Sequence, residues 1–152
     1  MLRLFSLLLT TVLLCHSPTS HAGANDKTYG NVMVSEITSI YDGDTFRANI
    51  KDWPPVAGYR IGVRVKGVDT PEIKGKCEQE KALARKAKQF TVELLRSGKP
   101  VELRNLQRDK YFRLLADVYV GDRNLAEELK KAGLGYEYHG GTKRLWCPKA
   151  SR

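Results

Sequence analysis

Cysteine, histidine and tryptophan are scarce: three, three and two in 152 residues. No two cysteines stand as CxxC, and beyond the N-terminal leader His139 is the single histidine. The Cys and His sets of structural zinc sites are therefore excluded. Acids are few against bases, 17 to 26, for a formal net charge of +9. Such an excess draws polyanions, with nucleic acid and anionic membrane surfaces as candidates, or serves solubility alone. Internal repeats and low-complexity tracts are absent, which excludes solenoids and disordered arrays.

The one long apolar run is at the start. Arg3 precedes Leu4 to Leu14, which only Ser6, Thr10 and Thr11 interrupt. Small residues follow at Ser20-His21-Ala22 and Ala22-Gly23-Ala24. This pattern reads as a secretory signal over residues 1–24, cleaved after Ala22 or Ala24 and too short for a membrane span. An uncleaved anchor is the alternative. Leu14 is too large to precede a lipoprotein cysteine, so Cys15 belongs to the leader. The expected location is exported, periplasmic or secreted, with no stable membrane insertion after signal removal. Arg3 is the leader's only charge, so the mature excess is +9 minus one, or +8. Cys77 and Cys147 remain, an even count that reads as one disulfide, with two free thiols as the alternative.

The length favours one domain over 25–152, with a core about 32–138 and a basic C-terminal tail. Val32 to Ile40 and Thr45 to Ile50 read as strands joined by the Asp42-Gly43 turn. Asp52-Trp53-Pro54-Pro55 breaks the second strand. Tyr59, Ile61, Val63 and Val65 then alternate against Arg60, Arg64 and Lys66. From Cys77 to Arg96, Leu83, Ala87, Phe90 and Leu94 recur at helical spacing, and Gly98 and Pro100 end that helix. Val101 to Leu106 and Leu114 to Val120 are further strands. Asn124 and Glu127 form a capping box for a helix bearing Leu125, Leu129 and Ala132, closed by Gly133. Five short strands with a helix inserted after the third make an α+β, mainly β, fold: a five-stranded OB-type Greek-key barrel with two helices.

Three segments carry chemistry: Asp42-Gly43-Asp44-Thr45, Arg64 through Asp69-Thr70-Pro71-Glu72, and Asp109-Lys110-Tyr111-Phe112-Arg113. Asp44 and Asp69 sit at strand edges. Two carboxylates with a backbone carbonyl and waters suit calcium's loose oxygen shell, and magnesium fits as well. Glu72 follows Asp69 across the stiff Pro71 and is placed to take a proton from water, or it merely starts a helix. Arg64 and Arg113 are phosphate candidates, because guanidinium forks match non-bridging oxygens bidentately. Lys110 and Tyr111 add a cation and a stacking surface, and Tyr136 and Tyr138 offer another aromatic wall.

In order and approximate spacing, these three segments together resemble the staphylococcal nuclease (thermonuclease) family across Val32 to Tyr138. The resemblance implies an OB-type barrel and calcium held by Asp44, Asp69 and the Thr70 carbonyl. It implies Arg64, Glu72 and Arg113 as catalytic, and Lys110, Tyr111, Tyr136 and Tyr138 as nucleotide contacts. It implies hydrolysis of DNA and RNA by in-line water attack, leaving 3′-phosphates, by a chain expected to act as a monomer. The chain departs from the pattern in four places. Phe112 replaces a small glycine, with room to shift Arg113 or block a base. Residues 52–58 enlarge a loop. The loop after Glu72 is short and carries Cys77. The family's third helix is short or absent at the C-terminus, where a Cys77–Cys147 bond would pin the tail. The rival readings are a non-catalytic nucleic-acid-binding module on the same fold and a cationic envelope-binding protein.

Overall fold

The computed structural model describes residues 27–147. The signal segment, its cleavage positions and Cys15 lie outside the described residues. The element order is β1 (Val32–Ile40), β2 (Thr45–Ile50), α1 (Pro55–Gly58), β3 (Ile61–Val65), β4 (Gly67–Asp69), α2 (Glu78–Leu95), β5 (Val101–Arg108), β6 (Leu114–Val120), β7 (Arg123–Asn124), α3 (Leu125–Lys131) and β8 (Tyr136–Tyr138).

The main sheet runs β3-β2-β1-β5-β6-β7, and β3 also pairs with β6. That last pairing is parallel, Val63 opposite Leu114, and it closes the five long strands into a barrel. Two irregularities bend β1, so that it pairs with β2 along most of its length and with β5 at Val32 and Met33. The expected mainly-β, OB-type barrel is therefore present.

Alternation supplies the core. Phe46, Ala48 and Ile50 of β2, Val63 and Val65 of β3, and Leu114, Ala116, Val118 and Val120 of β6 all point inward and are buried. Each large side chain so buried stabilises by about 1.5–3 kcal/mol. Leu103 is fully buried at 0% exposure, and its truncation to Ala would cost about 2–5 kcal/mol.

The helix seams differ in detail from the pattern read above. The buried face of α2 is Ala84, Ala87, Thr91, Leu94 and Leu95, while Leu83 and Phe90 flank it half-buried. Close approach selects the small residues. A Cβ on Gly43 would lie 2.9 Å from Ala87 Cβ, so only glycine in the turn and small side chains on the helix fit. Asn124 Oδ1 caps α3 by accepting from the Ala126 and Glu127 N–H groups. Glu127 does not return the bond, because its carboxylate pairs with Lys130. Ala132 is the last cap residue, and Gly133 follows at φ +69°. The Gly133 and Leu134 N–H groups bond Lys130 O and Leu129 O, which is a Schellman closure.

Two further differences concern the loops. Residues 55–58 form one helical turn, with Pro55 at the position where a missing N–H costs nothing. This is the third helix, and it lies between β2 and β3. Among the described residues no helix follows β8. β3 starts at Ile61, two residues later than the alternation from Tyr59 suggests, because Arg60 takes φ +51°. In the tail, Cys147 is bonded to Cys77 with Cα atoms 6.0 Å apart. Trp146 stacks on Tyr136 at 4.0 Å between ring centroids.

Candidate active site

The Asp42–Thr45 turn is held from three sides. The Tyr41 and Asp42 N–H groups reach Thr45 O, and Asp42 Oδ1 accepts from Asp44 N. Thr91, fully buried on α2, donates its hydroxyl to Gly43 O at 2.7 Å. The turn is thereby fixed against the helix, and Asp44 is aimed inward at 1% exposure.

Asp44 binds the next segment. Its Oδ2 accepts from the Thr70 N–H at 2.8 Å and from the Thr70 hydroxyl at 2.9 Å. Residues 26 apart are thus locked together, and Asp69 is brought beside Asp44. The antiparallel pairing of β4 with β8 supports Asp69 from behind, opposite Tyr136. Arg64 alternates with the buried Val63 and Val65 and so points to the barrel's other face. That face is not open solvent: its side chain is 12% exposed and pairs with both Asp44 and Asp69, the latter at 3.1 Å.

Asp42 is a third buried acid at this place. Burial pushes its carboxyl up to about 6; Arg64 and Thr45 oppose the shift and the charge of Glu72 adds to it. Asp44 and Asp69, joined through Arg64, offer hard anionic oxygen of the kind calcium accepts. Asp44 accepts from Thr70 and pairs with Arg64, and Asp69 pairs with Arg64 and Lys143, so a cation bound by these two carboxylates would replace those partners.

Arg113 approaches from the opposite side. Asp109 organises its loop by accepting from the Tyr111 and Arg113 N–H groups at 2.8 and 2.9 Å. The same carboxylate accepts from Arg113 Nε at 2.7 Å. Burial alone would raise the Asp109 carboxyl, but these hydrogen bonds and the guanidinium charge outweigh it and hold it below its ordinary range. Arg113's aliphatic stem lies across β3, where a Cβ on Gly62 would meet Arg113 Cγ at 3.0 Å. Phe112 takes φ +63°, a backbone conformation that glycine adopts most readily. Its ring carries the Arg108 guanidinium at 4.5 Å.

These parts open on one cleft of about 460 Å³. Asp42, Arg64, Glu72, Lys110, Tyr111, Arg113 and Tyr138 all line it, and Phe112 does not. Asp44 and Asp69 lie beneath, buried. Tyr136 is elsewhere: its ring is engaged by Trp146 and by the Arg144 guanidinium at 4.1 Å.

Besides Asp42, three residues of the site carried no role in the sequence reading. Lys143, from the tail, places Nζ 2.6 Å from Glu72 Oε1 and 2.9 Å from Asp69 Oδ1. Burial would lower its ammonium, but those two carboxylates raise it instead. Glu80, in the first turn of α2, accepts from Lys76 N at 2.8 Å and Glu72 N at 3.4 Å and so shapes the loop behind Glu72. Asp109 is the third. Its signal was present as an Asp four residues before an Arg across a turn.

Comparison with known proteins adds a family. The family described as Staphylococcal nuclease homologue matches residues 62–144. A thermonuclease of Staphylococcus hyicus is 32% identical over 114 residues, 74% of this chain and 60% of that protein. Endonuclease YncB of Bacillus subtilis is 37% identical over 109 residues, 68% of this chain and 49% of that protein. A probable endonuclease, LCL3, of Phaeosphaeria nodorum is 28% identical over 126 residues, 80% of this chain and 40% of that protein. The chain thus spans between 40% and 60% of the length of these curated relatives.

Proposed function

The chain belongs to the staphylococcal nuclease family, and from that membership we propose that it is an exported, calcium-dependent nuclease. It hydrolyses phosphodiester bonds of DNA and RNA and leaves 3′-phosphates. The observation that carries this reading is the convergence of Glu72, Arg64 and Arg113 on one cleft above two buried acids.

Each residue has a physical task. Glu72 is half exposed at the cleft wall, where its carboxylate accepts the proton of an attacking water and directs that water in line with the leaving 5′-oxygen. Arg64 and Arg113 approach from β3 and from the 109–113 turn, so a phosphate between them meets two guanidinium forks. Charge that grows on its non-bridging oxygens is stabilised there without reorganisation. Asp109 keeps Arg113 extended along Gly62. Asp44 and Asp69, with the Thr70 carbonyl, hold calcium, which supplies Lewis-acid polarisation of the phosphate when bound. Lys110, Tyr111 and Tyr138 flank the phosphate and contact its nucleosides.

The test is digestion of plasmid, single-stranded DNA and RNA by the purified mature protein across a calcium titration, with chelator as control. Calcium-restored cleavage that leaves 3′-phosphate ends is expected. Binding without cleavage at any calcium concentration would reduce the chain to a binding module.

A further inference from the structure

The tail after β8 reaches back to the cleft and is fastened at both ends. Gly140 and Gly141 take φ +99° and +85° and turn the chain out of β8. The Tyr138 hydroxyl donates to Gly141 O, which fixes that turn. At the far end Trp146 is buried on Tyr136 and Cys147 is bonded to Cys77. Residues 140–145 between them are exposed, so core packing does not hold them. Lys143 stands in the middle of this stretch, five residues past Tyr138 and four before Cys147. Its ammonium sits on Glu72 Oε1 and Asp69 Oδ1 and lines the cleft. It thereby covers one oxygen proposed for calcium and one proposed for the attacking water.

The covalent end of the tail is joined to the loop that carries Glu72. Cys77 is the N-cap of α2, and Glu80 in the first turn accepts from the Glu72 N–H. The same Glu80 carboxylate lies 3.4 Å from Cys147 Sγ. Among the described residues no helix follows β8, and this fastened stretch stands in its place.

We propose that the tail is a redox-latched strap that holds Lys143 in competition with calcium, so that the Cys77–Cys147 bond sets the calcium concentration at which the cleft works. The proposal rests on the nuclease reading above. With the bond closed, Lys143 is tethered on both sides, and its effective concentration at the two carboxylates is high. With the bond open, β8 tethers one side only, and the Trp146 and Arg144 contacts to Tyr136 are what remains of the other. Opening needs a dithiol reductant. Its thiolate attacks one sulfur and displaces the other, and its second thiol resolves the mixed disulfide. Two electrons and two protons pass to the protein, leaving Cys77 and Cys147 as thiols and the reductant as a disulfide. The helix terminus at Cys77 favours a thiolate leaving group there. The coupling runs both ways: calcium that displaces Lys143 loosens the strap, and a loosened strap admits calcium more readily.

Calcium binding is measured by isothermal calorimetry on the purified mature protein, oxidised and after dithiothreitol, for wild type and Lys143→Ala. Melting curves confirm that each form is folded. Reduced wild type is expected to bind calcium about threefold tighter than oxidised wild type, within the worth of a partly exposed ion pair. Lys143→Ala is expected to tighten the oxidised protein at least as much, and to change the reduced protein by less than about twofold, the limit of independent sites. Equal calcium affinity before and after reduction, or an equal gain from Lys143→Ala in both states, overturns the proposal. Reduction costs stability, so a second measurement uses the oxidised wild type. Acylation of Lys143 by a succinimidyl ester is mapped against Lys51, exposed just past the end of β2. Calcium is expected to raise the Lys143 reaction relative to Lys51, and an unchanged ratio also overturns the proposal. Tighter calcium binding on reduction without cleavage at any calcium concentration would overturn the nuclease reading alone. A protein that binds no calcium in either state would overturn both.

Discussion

Lys143 and Glu72 meet at 2.6 Å across 71 residues of sequence, and the same ammonium touches Asp69. A tail residue thus presents a cation to two carboxylates at the heart of the cleft.

Lys143→Ala is therefore expected to strengthen calcium binding. It removes a positive charge beside Asp69 and a competitor for its oxygen. For a partly exposed pair worth up to about 1 kcal/mol, the gain is about threefold to fivefold. Isothermal calorimetry with calcium reads it directly, and an unchanged or weaker affinity would show that the ammonium does not compete.

Glu72→Gln and Arg113→Ala should both cripple turnover, in different ways. Loss of the general base lowers kcat by about 10² to 10⁴ with little change in substrate affinity. Loss of Arg113 lowers kcat/KM at least as much, because its charge matches one that grows in the transition state. Asp44→Ala instead weakens calcium, so excess calcium restores part of the activity. Steady-state kinetics against calcium concentration, with melting curves as control, separate the three. Near wild-type rates for Glu72→Gln would end its assignment as base.

Asp109→Asn tests the turn that carries Arg113. Asp109 has its carboxyl depressed below the ordinary 3.8 by its hydrogen bonds to Arg113 and Tyr111. A depressed acid contributes stability that is present above its unfolded value and is lost as pH falls through the folded one. The stability gap between wild type and Asp109→Asn should accordingly be flat at neutral pH and shrink below about pH 4. Paired melts from pH 7 to pH 3 check this, and a gap that widens on acidification would contradict it. The variant should also lose kcat/KM, since Arg113 is freed from its anchor.

Reduction or Cys147→Ser should destabilise the protein. The disulfide closes a separation of 70 residues, worth about 4 kcal/mol in the chain-entropy model. Non-reducing peptide mapping checks the link, and urea melts check its contribution. A variant as stable as wild type would mean that Trp146 on Tyr136 holds the tail unaided.

Export predicts an intact mass for the periplasmic or secreted protein that begins after Ala22 or Ala24. A retained Met1 would refute it.

Much of this was readable in the chain before any coordinates. The five long strands and two main helices follow from alternation and helical spacing, and Asp44, Arg64, Asp69 and Arg113 stand at predicted strand ends. What escaped has a common cause: its meaning depends on distant partners. Glu80 reads as an ordinary first-turn acid, and only the loop folded over it makes it a ligand for backbone N–H groups. Lys143 sits in an aperiodic basic tail, where nothing local distinguishes it from Lys149. Asp42 looks like a turn residue, and its raised pKa comes from the burial that α2 imposes. Pro54-Pro55 signals a break, and the helical turn that Pro55 starts is equally compatible with it. Tyr136 and Tyr138 share one face of β8, and only the returning tail separates their roles, because Trp146 stacks on Tyr136 while Tyr138 lines the cleft.

Closure of the barrel by β3 on β6 bears on timing. The pairing joins Val63 to Leu114 and so waits for all the intervening chain, and β4 waits longer still for β8. Contacts of such long sequence separation form late and slowly. Arg64 and Arg113 face a common phosphate only after this step. A chain in which β3 has not yet met β6 therefore carries Arg64 and Arg113 without the cleft that they share.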